Sequence, residues 1–203
     1  MKLYYSPGTS SLLLHIVLVE AGLPFDTVKI DDHTKAMDGV GDYRDVNPLG
    51  YVPALQLDDG TVLKECAAIV QYVADAAPAK NLAPPNGTLE RTKLRSWLSF
   101  LSTEVHMGGF CPLFDPEVPD AVQSVFRRRL ATRLAHVEAH LTRNDYLLGQ
   151  TFPVADVYVF VMSNWARSTK VDLSSYPRLL GLRRRVGARP PVQAAMKVEG
   201  LTR

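Results

Sequence analysis

The sequence predicts a small α/β domain followed by an all-α domain. Three observations carry this reading. Strand-like and helix-like segments alternate over the first 77 residues, with an Asp-Gly hairpin signal among them. Pro78, Pro84, Pro85, Asn86 and Gly87 then crowd into residues 78–87, a composition that breaks helices and marks a domain boundary. From residue 88 onward apolar residues recur at helical spacing, and no strand signal intervenes.

Taken in order, Lys2-Leu3-Tyr4-Tyr5 reads as a short strand that breaks at Pro7-Gly8-Thr9. Residues 12–21 form a mostly apolar helix, closed by Gly22 and then Pro24. Residues 25–30 alternate apolar and polar side chains, as a half-exposed strand does. Residues 31–47 are polar and contain Gly39 and Gly41, which predicts a loop or weak helix. Residues 52–57 and 61–63 flank the turn Asp58-Asp59-Gly60, and residues 66–76 read as a helix. A hairpin that follows a βαβ unit requires a mixed sheet. Beyond the linker, Leu94, Trp97, Leu98, Leu101 and Val105 define an amphipathic helix. Further helices fit residues 119–141, 154–168 and 177–188. The expected domains are therefore 1–77 and 88–203, joined by a linker over 78–87.

Composition narrows the function. The 203 residues are 46% hydrophobic, enough for a sizeable core. With 23 basic and 21 acidic residues the formal net charge is +2, so electrostatics give no argument for nucleic acid. Arg127-Arg128-Arg129 and Arg183-Arg184-Arg185 are exceptions, but three consecutive residues fan around a helix and read as a solvated face. No apolar run approaches the ~18 residues that span a bilayer. No leader is expected ahead of the first strand. Cys66 and Cys111 stand in no metal-ligand spacing and make no disulfide framework. The expectation is a cytoplasmic chain that binds no metal, nucleic acid or membrane.

Ser10 is the most informative residue. It sits where a strand gives way to an apolar helix, so its hydroxyl can cap the helix or help hold an anion against the free N–H groups there. In Asn47-Pro48-Leu49-Gly50-Tyr51-Val52-Pro53-Ala54-Leu55, Pro53 fits either an ordinary edge strand or a cis turn. A cis turn would present the Val52 backbone to a ligand's peptide groups. Ser99, Thr103 and His106, four and three residues apart, share one helical face.

The segment Asn47-Pro-x-Gly-x-Val-Pro53-Ala-Leu, with Glu65, Ala68, Ile69 and Tyr72 after it, resembles the glutathione-binding half of a glutathione S-transferase. The opening Met1-Lys2-Leu3-Tyr4-Tyr5-x-Pro7-Gly8-x-x-Ser11-Leu12 is similar to the bacterial beta class in particular. The match continues through Glu104-Val105-His106, Gly149-Gln150-x-Phe152-x-Val154-Ala155-Asp156 and Arg189-Pro190-x-Val192. The resemblance implies a thioredoxin-like N-terminal domain with a mixed four-stranded sheet. It also implies a helical C-terminal domain that carries the electrophile pocket and the contacts of a homodimer.

The resemblance further implies glutathione as co-substrate, with no other cofactor. Val52 and Pro53 would meet its cysteinyl peptide. Glu65 and Cys66, at a helix start, would meet the γ-glutamyl carboxylate, and Lys35 the glycyl end. Ser99, Thr103 and Glu104 would supply polar groups to the neighbouring subunit's site, with Glu104 suited to the γ-glutamyl ammonium. His106 would face the thiol. Tyr5 fits a buried structural role better than a thiolate donor. Met107, Phe110, Phe114 and Trp165 would line the pocket for an apolar electrophile. Three departures matter. Ser99 and Met107 stand where asparagine and lysine are expected. Ser10 stands where the beta class has cysteine, so a mixed disulfide cannot form. The Ser10 hydroxyl, or that of Ser11, can still donate one hydrogen bond to a thiolate. The expected activity is transfer of the glutathione sulfur to a small electrophile, with glutathione-dependent peroxide reduction open to the same thiolate. The competing reading is a non-catalytic carrier or interaction protein of the same fold.

Overall fold

The computed structural model describes residues 1–38 and 41–202. Gly39 and Val40, in the expected loop, and Arg203 lie outside the described residues. The strands are β1 (Lys2–Tyr5), β2 (Asp26–Lys29), β3 (Ala54–Gln56) and β4 (Val62–Lys64). The helices are α1 (Ser11–Ala21), α2 (Cys66–Ala76), α3 (Leu89–Phe100), α4 (Cys111–Phe114), α5 (Asp120–Leu141), α6 (Val154–Trp165), α7 (Pro177–Gly187) and α8 (Pro190–Val198). A π-helical stretch, Leu101–Phe110, runs between α3 and α4.

One compact unit contains Met1–Leu82 and the segment from Arg189. Its sheet has the order β2-β1-β3-β4. β1 pairs parallel with β2 and antiparallel with β3, which pairs antiparallel with β4. This is the mixed four-stranded sheet that the hairpin signal requires. One face of it buries Tyr4, Ile30, Tyr43 and Ala54. α1 is buried along almost its whole length, as its mostly apolar sequence demands. It ends at Gly22, whose φ of +68° suits a residue without Cβ.

The expected second domain, 88–203, is corrected at its end. The expected all-helical stretch runs through residue 203 without bounds for a helix after 188; α8 forms there and packs on α1 in the first unit. Pro190 and Pro191 do not prevent it, because proline in a first turn removes only an N–H that has no intrahelical partner. Val192 and Ala195 are fully buried. Arg189 donates to both oxygens of Glu20 on α1, at 2.5 and 2.9 Å.

The other unit, Ala83–Ala188, is built from helices joined by loops, with none of β1–β4 among its described residues. Thr88 caps α3 by accepting the Arg91 N–H at 3.1 Å. α6 is buried on nearly all sides and forms the centre. Pro153 supplies no capping oxygen, as its side chain dictates. The Asp156 carboxylate instead accepts the Leu147 N–H at 3.1 Å and ties the preceding loop to α6. Burial pushes the Asp156 carboxyl well above the usual range.

The single amphipathic helix expected over Leu94–Val105 changes character at Leu101. Gly108 and Gly109 account for the π-helical backbone there. A Cβ on Gly108 would lie 2.7 Å from the Thr103 carbonyl oxygen, and one on Gly109 would lie 2.9 Å from Leu130 on α5. The Cys111 N–H donates to the His106 carbonyl, the wide turn that defines this geometry.

Candidate functional site

The first unit gathers most of the residues singled out for glutathione. Ser10 precedes α1 but already has helical φ and ψ of −60° and −20°, so its side chain does not cap the helix. Its Oγ donates instead to the Val52 carbonyl at 3.0 Å. The Val52–Pro53 peptide is cis, which decides between the two readings of Pro53. Cys66, first residue of α2, directs its Sγ at the Ser10 carbonyl, 3.8 Å away. Ser10, Val52 and Cys66, scattered over the sequence, therefore meet at the start of two helices. Burial pushes the Cys66 thiol up to about 12, so it stays protonated and inert. Glu65, just before it, is exposed and has a φ of +70°. That is a left-handed conformation rare outside glycine and often retained at ligand sites.

Two loops complete this group. Gly50, at φ +67°, turns the chain towards Val52, and a Cβ there would sit 3.3 Å from Lys35 Cε. Lys35 therefore lies alongside the Gly50–Val52 stretch, its ammonium paired with Asp32 at 2.9 Å. The turn is rigid: the Tyr51 carbonyl accepts from both Asn47 Nδ2 (2.7 Å) and the Tyr43 hydroxyl (2.9 Å).

Ser11 is corrected as a thiolate partner. It is completely buried; its Oγ donates to the Ser6 carbonyl at 2.9 Å and accepts the Ser6 N–H at 3.1 Å. The side chain folds the turn that precedes α1 and faces no open space. Tyr5 is buried with its ring edge against His15, consistent with a structural role. Burial, then the Glu199 and Asp38 charges, raise its phenol further.

Sequence reasoning missed the group beneath that turn. Glu199, just beyond α8, accepts the Gly8 N–H at 2.9 Å and the His15 Nδ1–H at 2.8 Å. All of the His15 and Glu199 side-chain surface is essentially withdrawn from water. The signal was present: His15 interrupts an otherwise apolar helical run, and a buried polar side chain requires a partner.

In the second unit, His106 is half-buried on the π-helical stretch. Its Nδ1 lies 2.8 Å from the Tyr158 hydroxyl, and its ring packs 4.8 Å from that of Trp165. Burial pulls its pKa down to about 4, so the ring is neutral at neutral pH. The shared polar face expected of Ser99, Thr103 and His106 is corrected here. Ser99 and Thr103 are exposed and joined by a hydrogen bond from Thr103 Oγ1 to the Ser99 carbonyl (3.0 Å). His106 turns away towards α6, because each residue of a π-helix advances less around the axis than in an α-helix. Glu104 is exposed and paired with Arg133 through hydrogen bonds of 2.7 and 3.0 Å.

The apolar candidates divide. Trp165 is the hub, with ring contacts to His106, Phe110 and Phe114. Phe114 and Met107 are 47% and 56% exposed and available to a ligand. Phe110 is not: it is fully buried in the core of the helical unit, which corrects its placement in an open pocket. Among the described residues no cluster of three or more His, Cys, Asp or Glu side chains is arranged to hold a metal ion. Among them, too, no helix is long and apolar enough to cross a membrane.

Comparison with known proteins converges on one family. Residues 11–76 match the family model for the glutathione S-transferase N-terminal domain, and residues 103–190 match that for its C-terminal domain. The chain is 41% identical over 201 residues to glutathione S-transferase GstA of Escherichia coli O157:H7, covering 99% of this chain and 100% of that protein. Among solved structures, a sphingomonad glutathione S-transferase complexed with glutathione superposes with a TM-score of 0.95 at 42% identity, with 100% of both chains covered. The beta-class glutathione S-transferase of Sphingomonas chungbukensis gives 0.95 at 44% identity, again over 100% of both chains.

Proposed function

The chain belongs to the glutathione S-transferase family, and from that premise we propose that it binds glutathione and transfers its sulfur to a small, largely apolar electrophile. The observation that carries the reading is the 3.0 Å hydrogen bond between Ser10 and the Val52 carbonyl. It joins a helix start to a backbone segment suited to a peptide ligand. Glutathione is a tripeptide with two carboxylates, one ammonium and one thiol. In the proposal, Val52 and Pro53 receive its cysteinyl peptide, Glu65 and the N–H of Cys66 its γ-glutamyl carboxylate, and Lys35 its glycyl carboxylate. Ser10 rotates away from Val52 to donate its proton to the thiolate, and the start of α1 adds favourable charge. His106 assists as a neutral hydrogen-bond donor. Met107, Phe114 and Trp165 form the apolar surface for the electrophile. Ser11 has no direct role.

We further propose a homodimer, in which Ser99, Thr103 and Glu104 serve the neighbouring subunit. Leu49 and Tyr51, 70% and 66% exposed on a rigid turn, support an interface of this kind. Two free thiols fit a reducing cytoplasm. Detoxification of electrophiles, and reduction of peroxides by the same thiolate, follow from the chemistry.

A second reading, a carrier without turnover, is favoured by two contacts: the Ser10 proton is engaged by Val52, and the Glu104 carboxylate by Arg133. Ultraviolet titration of the glutathione thiolate bound to wild type and to Ser10→Ala decides between them. A transferase lowers the bound thiol's pKa, and the variant raises it by about one unit, or roughly 1.4 kcal/mol. An unshifted pKa in the wild-type complex favours the carrier.

A further inference from the structure

Tyr158 has no place in the functional reading so far, yet it holds His106 by a polar contact. It stands on α6, is 1% exposed, and brings its hydroxyl to 2.8 Å from His106 Nδ1. The two rings meet nearly at right angles, 81° apart, so the hydroxyl reaches the nitrogen at the rim of the imidazole. Trp165 closes another side of the histidine at 4.8 Å. The ring is thus gripped by two aromatic residues from the most buried helix of the unit.

The direction of the hydrogen bond follows from elementary acidity. A phenol is a much stronger acid than a neutral imidazole N–H, and an unprotonated imidazole nitrogen is a strong acceptor. The favoured arrangement has Tyr158 O–H donating to Nδ1. A neutral imidazole carries one ring proton, so that proton must then sit on Nε2.

We infer that Tyr158 is a positioning residue, which locks His106 in the tautomer that carries its proton on Nε2 and so makes the ring a hydrogen-bond donor. The inference rests on the proposed role of His106 in the transfer reaction and says what kind of group His106 is. Burial keeps the ring neutral, with a pKa of about 4, so it carries a single N–H proton at neutral pH. A neutral donor stabilises a developing sulfur anion without first losing a proton to solvent.

The test is nitrogen NMR of the 15N-histidine-labelled full chain at neutral pH, with His106 assigned by its loss in His106→Gln. The expected spectrum shows the Nε2–H tautomer in wild type and a mixture of tautomers in Tyr158→Phe. Steady-state conjugation of glutathione to an activated aryl chloride supplies the second readout. Tyr158→Phe should lower kcat about tenfold and leave the KM for glutathione within about twofold, because the altered contact acts at the sulfur. The double variant should be no slower than His106→Gln alone. An Nδ1–H tautomer in wild type, whatever the behaviour of Tyr158→Phe, overturns the inference. If His106→Gln loses activity while Tyr158→Phe keeps both tautomer and rate, the role of Tyr158 alone falls. If His106→Gln conjugates at the wild-type rate, the reading beneath it falls as well.

Discussion

The Ser10 hydroxyl donates to the Val52 carbonyl across 3.0 Å, and the residues are 42 positions apart in sequence. This contact places a side chain two bonds from the backbone of α1 directly over a peptide segment. The chemistry there depends on the atom at position 10. Oxygen gives a hydrogen-bond donor and no redox chemistry. Sulfur would permit exchange, in which a cysteine thiolate at this position attacks oxidised glutathione, forms a mixed disulfide and releases one reduced glutathione. Ser10→Cys, incubated with oxidised glutathione, should gain one glutathionyl adduct by intact mass. Wild type should gain none, because burial keeps both the Cys66 and Cys111 thiols protonated. A wild-type adduct would show that one of these cysteines is reactive after all.

Glu199 bears on the same turn from the far end of the chain. Its carboxylate accepts the Gly8 N–H and the His15 Nδ1–H, and the His15 side chain is cut off from water. Glu199→Ala takes this acceptor from the buried His15 Nδ1–H and removes the Gly8 contact, and should cost about 3 kcal/mol in urea unfolding. Glu199→Gln keeps one acceptor oxygen and should cost less, about 1 kcal/mol. Arg189→Gln removes the Glu20 pair and leaves the Gly8 contact in place. If it matches the loss in Glu199→Ala, the buried carboxylate has no special part in folding the turn.

His106 links stability to pH. Its pKa falls from an ordinary 6.5 to about 4 in the folded chain, because burial disfavours the imidazolium. The folded state therefore binds this proton more weakly than the unfolded state does. The stability contributed is fully present above about pH 6.5 and is lost as pH falls towards 4. Between about pH 7 and 5 the loss amounts to roughly 2 kcal/mol. Unfolding free energies at both pH values should therefore drop further for wild type than for His106→Gln, by about that amount. Equal drops would mean that the imidazole gains its proton as easily in the folded chain as in water.

The sheet, the linker and the helical second unit were legible because each rests on a local signal: the Asp58-Asp59-Gly60 turn, the proline cluster, and apolar spacing. The glutathione-side residues were legible only as motifs, and their meeting at Ser10 depends on folding. Three things were hidden, each for a physical reason. α8 opens on two prolines, and its partner, α1, lies at the other end of the chain. The partners of His15 and His106 are Glu199 and Tyr158, 184 and 52 residues away, beyond the reach of spacing arguments. The π-helical stretch was hidden because Ser99, Thr103 and His106 fit an α-helical face in sequence. The glycines at 108 and 109 decide the matter only through what a Cβ would strike.

Those glycines give a comparison in which the sign is set by a clash. In a relaxed helix, alanine is more stable than glycine by about 1 kcal/mol. At Gly108 the added Cβ would meet the Thr103 carbonyl oxygen at 2.7 Å, a backbone atom that can move only if the π-helical turn is rebuilt. At Gly109 it would meet the tip of Leu130 at 2.9 Å, with the Glu104 carbonyl at 3.3 Å, so a change of leucine rotamer relieves most of the strain. Gly108→Ala should therefore be destabilised by about 2 kcal/mol and Gly109→Ala by about 1 kcal/mol or less. Gly108→Ala should also disturb the His106 ring nitrogens in NMR spectra, since rebuilding the turn rotates the histidine away from Tyr158. If Gly108→Ala instead gains stability and leaves the His106 signals in place, the stretch is an ordinary α-helix in solution. Ser99, Thr103 and His106 would then share the single polar face that their spacing suggests.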